Sequence, residues 1–104
     1  MNNEETPIEN IREEIVKISE PVCIYLISKK MDFDGRVTGI KYCIILPDNA
    51  GEICDLEEKL YTTIDSEVPF DLVLYKLSEW KKFITEVGSF AAKVHEKGTL
   101  IYPT

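Results

Sequence analysis

The chain has no apolar run approaching the ~20 residues that a membrane-spanning helix needs. Its opening, MNNEETPIEN, is acidic and polar, the opposite of a secretory signal. Cysteine is sparse: Cys23, Cys43 and Cys54 form an odd set without a Cys-x-x-Cys pair. That pattern suits reduced thiols in a cytosol better than a disulfide framework, so the expected location is cytoplasmic. The single histidine, His95, has no Cys or Asp at ligand spacing and is expected on the surface. Positive charge is also short. Twelve Lys and Arg face nineteen Asp and Glu, a net charge of -7, which disfavours general binding to a phosphate backbone. Repeats, linkers and low-complexity segments are missing too. What is present is 104 residues with 44% hydrophobic and 10% aromatic side chains, enough for one domain with a real core.

Residues 1–6 are expected to be a flexible terminus, and residues 7–104 a single domain. Pro7 opens a helical pattern in which Ile8, Ile11, Ile15 and Ile18 make one apolar face, and Pro21 stops it. Val22 to Ile27 is a nearly continuous β-rich run, which predicts a strand covered on both faces. Lys29 to Gly39 is polar and contains the turn signal Asp34-Gly35. A second buried strand is predicted from Ile40 to Leu46, broken by the Pro47 to Gly51 segment. From Glu52, the positions Ile53, Leu56, Leu60 and Ile64 have helical spacing, and Pro69 ends that element.

Phe70 to Tyr75 predicts a third strand. Ser78 is placed to cap a short helix whose Leu77, Trp80, Phe83 and Ile84 pack on a sheet. Phe90 to Lys97 predicts another helix with Gly98 just after it, and Thr99 to Tyr102 a fourth strand. Cys23 and Cys43 lie inside apolar strand runs and Cys54 on a helix; none has a histidine neighbour that would make it a catalytic thiol. The predicted class is α+β: a mixed sheet of about four strands with helices packed on it.

From Cys23 to Leu46 the chain resembles the small, minimal nucleotidyltransferases of bacteria and archaea, in the DNA polymerase β superfamily. Tyr25-Leu26-Ile27-Ser28-Lys29 falls where that family has its Gly-Ser turn and basic loop. Gly39-Ile40-Lys41 and the apolar strand after it fall where the family has Asp-x-Asp. Asp71 falls on the strand with the third Asp, and the tail from Gly88-Ser89-Phe90-Ala91 to Tyr102 is similar to the family's ending. The likeness spans roughly residues 8–102.

The resemblance implies three carboxylates holding two Mg²⁺ ions about 3.5–4 Å apart, with the first two acids on one strand face. Here those two positions are Gly39 and Lys41, and only Asp71 remains. Ile27 replaces the glycine that would let backbone approach phosphate. The expectation is therefore a catalytically degenerate domain with no catalytic residues and no metal. Lys41 is expected to pair with Asp71 in place of the metal, or else to be a solvent-exposed lysine. Ser28, Lys29 and Lys30 are candidate phosphate-binding residues, with Arg36 adding to a locally basic loop. By resemblance the partner is a HEPN-type helical protein, as in toxin–antitoxin pairs, with a homo-oligomer as the other possibility. Two alternatives stay open. One is an active enzyme whose Mg²⁺ site is rebuilt from Asp71, Asp32 and Asp34, although Asp32-Phe33-Asp34 reads as a hairpin loop. The other is a nucleotide-sensing domain.

Overall fold

The computed structural model describes residues 6–103. Eight elements follow in the expected order: α1 (Pro7–Ser19), β1 (Cys23–Met31), β2 (Val37–Leu46), α2 (Ile53–Thr63), β3 (Phe70–Lys76), α3 (Leu77–Phe83), α4 (Phe90–Lys97) and β4 (Thr99–Tyr102). The four strands form one mixed sheet in the order β3-β2-β1-β4. β1 runs antiparallel to both of its neighbours, and β2 and β3 are parallel. This is the α+β class that the residue pattern predicts. None of the described helices is long and apolar enough to cross a membrane.

Alternation along β2 explains why the sheet is covered on both sides. Ile40, Tyr42, Ile44 and Leu46 point to one face, where they pack with Ile11 and Ile15 of α1 and with Leu60 of α2. Cys43 and Ile45 point to the other face and pack with Trp80 of α3 and with Ala91 and Val94 of α4. The apolar runs in the sequence are thus a central strand serving two cores. Tyr42 is fully buried, and its hydroxyl donates to the carbonyl of Ile8 at 2.8 Å, fixing the start of α1 over the sheet.

Thr6 caps α1, one residue before the predicted start of the domain; residues 1–5 of the expected flexible terminus lie outside the described residues. The Thr6 hydroxyl accepts from the Glu9 N–H at 3.2 Å, and the Glu9 carboxylate accepts from the Thr6 N–H at 3.2 Å, a reciprocal cap on α1. β1 and β2 run further than their apolar cores, to Met31 and from Val37. The polar stretch between them is a long hairpin that pairs outside the helical layers. Its turn uses Gly35 at φ +80° and an Asp32 carboxylate that accepts from the Asp34 and Arg36 N–H groups, both at 2.9 Å.

Two predicted caps need correction. Ser78 does not start α3, because β3 runs into that helix without a loop. Leu77 is already helical, the Glu79 carboxylate accepts from the Lys76 N–H, and Asp48 accepts from the Ser78 N–H at 2.9 Å. Gly98 follows α4 as predicted, but at φ -70° rather than in the left-handed region. Glycine suits that position because a Cβ there would sit 2.6 Å from the Val94 carbonyl oxygen.

Candidate functional site

The hairpin root and the neighbouring strand enclose a cleft of about 500 Å³. Ser28, Lys30, Gly39, Lys41 and Asp71 line it together with Thr38. These residues come from three strands and meet through register. Ser28 stands opposite Lys41, and Lys30 opposite Gly39, in the β1–β2 ladder. Lys41 stands opposite Asp71 in the parallel β2–β3 ladder.

A bulge makes this convergence possible. Before it, Leu26 pairs with Tyr42; after it, Ser28 pairs with Lys41, so Ile27 is the extra residue. With regular pairing, Ile27 would stand opposite Lys41 and Ser28 would turn to the opposite face. With the bulge, Ile27 keeps its place against the Trp80 cluster, and Ser28 and Lys30 join Lys41 on that same side of the sheet. Lys29, the remaining candidate for phosphate contact, alternates to the other face opposite Ile40 and does not line the cleft.

Gly39 and Lys41 are two residues apart on β2, so side chains at both positions project to the same side, with Asp71 beside the second. Gly39 adopts ordinary backbone geometry. A Cβ there would meet only the flexible Lys30 stem, the nearest atom at 3.7 Å.

The expected Lys41–Asp71 ion pair does not form. Among the described residues the only nitrogen–oxygen approach within 4.0 Å between opposite charges is Lys17 to Glu14, at 3.3 Å. The Lys41 ammonium instead lies 5.7 Å from the centroid of the Phe90 ring, at the start of α4. Asp71 is exposed, so water rather than a cation satisfies its carboxylate. A carboxylate drives such pairing when it is shielded from water, and the edge position of β3 leaves Asp71 exposed.

Charge in the cleft is two ammonium groups, Lys30 and Lys41, against one carboxylate, with the Ser28 and Thr38 hydroxyls as neutral donors. That inventory suits an oxyanion better than a hard divalent cation, which wants several oxygen ligands. Among the described residues, no three His, Cys, Asp or Glu side chains gather closely enough to hold a metal. Asp32 and Asp34 lie at the hairpin tip, beyond Val37 on the ladder. Four residues of strand already separate Val37 from Lys41, roughly 13 Å, whereas paired catalytic metals sit about 4 Å apart.

Two of the three thiols are shielded by position. Cys43 is buried, which pushes its thiol up to about 12, and burial also raises that of Cys23. Cys54 is exposed and free. His95 is exposed and meets Trp80 edge to face at 6.2 Å. Sequence reasoning missed Thr38 as part of the cleft and Phe90 as the partner of Lys41. Only the Phe90 position carried a signal, as an aromatic residue at the start of a helix. Compared with family models, curated proteins and solved structures, the chain has no match.

Proposed function

We propose that this chain is a catalytically degenerate nucleotidyltransferase-like domain that acts as a binding or regulatory module. The observation that carries the reading is the cleft itself. Positions 39, 41 and 71, where the resemblance expects three metal-holding acids, share one face at adjoining register positions, and only Asp71 carries a carboxylate. Position 41 has a cation where a metal ligand is required, so two-metal catalysis lacks both its ligand count and its charge balance. The partner by resemblance is a HEPN-type protein, in an antitoxin-like role.

The test is incubation of the purified chain, alone and with a co-purifying partner, with radiolabelled ATP and Mg²⁺ or Mn²⁺. The reading predicts no transfer of label. Metal-dependent labelling that is lost in Asp71→Asn would overturn it in favour of an active enzyme.

One observation favours a second reading, a nucleotide-sensing role: Ser28, Lys30 and Lys41 line one cleft with hydroxyl and ammonium donors. A ligand at 100 times its dissociation constant stabilises by ~2.7 kcal/mol. A thermal shift with ATP that needs no Mg²⁺, falls with salt and disappears in Lys30→Ala would support that role.

A further inference from the structure

Two surfaces lie apart from the cleft: the tip of the β1–β2 hairpin and a groove on the α1–α2 face. At the tip, Phe33 is 107% exposed and Met31 51% exposed, so one large apolar side chain stands fully in water with a second half exposed beside it. Asp32 and Asp34 stand beside Phe33, and exposed Lys29, Lys30 and Arg36 follow on the two arms of the hairpin, so residues 29–36 carry three cations against two carboxylates in a protein whose net charge is -7. Part of the tip's acidity is already engaged, since one Asp32 oxygen accepts two backbone N–H groups.

The groove has a volume of about 510 Å³, more than enough for a large side chain, and lies between α1 and the loop after α2. Glu13, Glu14, Asp65 and Glu67 line it beside the buried Ile11 and Ile64, and no Lys, Arg or His does. Among the described residues, only Glu14 of these carboxylates has a cation within salt-bridge distance, Lys17 at 3.3 Å.

Tip and groove also sit at the same end of the molecule. The Ile40 N–H, at the hairpin root, donates to the Pro69 carbonyl at 3.1 Å, which fixes the loop that ends the groove. The Tyr42 hydroxyl donates to Ile8, which fixes the start of α1 beside the same root. Two copies facing each other about a two-fold axis would therefore form both contacts at once, and the assembly would close as a dimer rather than grow into a filament.

We infer that the occupant of the groove is the hairpin tip of a second copy of this chain, with Phe33 inserted and Lys29 and Arg36 on the groove carboxylates. The inference does not depend on the reading of the cleft, and neither result decides the other.

The experiment is sedimentation equilibrium of the full chain. The wild type shows a monomer–dimer equilibrium, and Phe33→Ser weakens it about 10-fold or more, the loss expected of a central aromatic anchor. Phe33 is fully exposed, so that variant keeps its fold. Lys29→Glu/Arg36→Glu and, separately, Glu13→Lys/Glu67→Lys each sediment as monomers. Mixed one to one they form a heterodimer, because the reversed tip then meets the two reversed groove positions and the unaltered tip meets an unaltered groove. Circular dichroism checks that the double variants are folded. A wild type that stays monomeric up to roughly 1 mM overturns the proposal, as does a dimer that Phe33→Ser leaves unchanged. Charge-reversed chains that are folded and do not associate on mixing also overturn it.

Discussion

At the scale of single residues, environment decides which groups do chemistry and which hold structure. Lys41 has a half-buried stem and an ammonium over Phe90, while Asp71 beside it is hydrated. Lys41→Ala is therefore expected to cost only about 0.5–1 kcal/mol, the size of an exposed cation–aromatic contact. Asp71→Asn should not offset that loss in denaturant unfolding; partial rescue would mean that the two charges pair in solution. Glycines separate in the same way. Gly98→Ala places a methyl group against backbone at 2.6 Å and should cost roughly 1–3 kcal/mol. Gly39→Ala meets only a flexible stem and should stay within about 0.5 kcal/mol of the wild type. Cys43 gives a pH prediction. Its thiol is pushed up to about 12 from an ordinary 9.0 by burial, so the folded chain keeps a proton that the unfolded chain releases. That contribution to stability is full below pH 9.0 and is lost as pH rises toward about 12, where the folded thiol also ionises. Urea midpoints should fall across that window, and Cys43→Ala should remove part of the slope.

At the scale of elements, periodicity carried the reading where one face had to be buried. The Ile8, Ile11, Ile15 and Ile18 stripe and the apolar strand cores were legible because each serves a continuous core. The outer halves of β1 and β2 were not, since their polar residues pair with each other in water and leave no alternation to read. The bulge at Ile27 was equally hidden. One extra residue leaves no mark in composition, yet it decides that Ser28 and Lys30 face the cleft and that Lys29 does not. Caps depend on the same distinction between local and distant partners. Ser89 accepts from the Ala92 N–H at 3.0 Å and donates to the Phe83 carbonyl at 2.6 Å, so Ser89→Ala should cost about 1–2 kcal/mol. Ser78 has the better local pattern, but α3 receives its outside cap from Asp48, thirty residues earlier in the chain. Ser78→Ala should thus be near neutral and Asp48→Ala the costly change, a contrast that thermal unfolding of the two variants can read.

At the scale of the whole molecule, a sheet with two covered faces leaves one open end, where the parallel β2–β3 pair and the hairpin root meet. Ser28, Lys30, Gly39, Lys41 and Asp71 lie at that end, with two ammonium groups against one carboxylate. The most direct measurement is to rebuild the three-acid set in Gly39→Asp/Lys41→Asp and titrate the wild type and the variant with Mn²⁺ by calorimetry. Neither position resists the change: a Cβ at position 39 makes ordinary contact with the flexible Lys30 stem, and the Lys41 ammonium rests over the Phe90 ring without a salt bridge. The account predicts that the folded double variant gains divalent-metal binding, that Asp71→Asn added to it abolishes that gain, and that the wild type gives no metal signal. A wild type that binds Mn²⁺ through Asp71, or a folded double variant that binds none, would contradict the account.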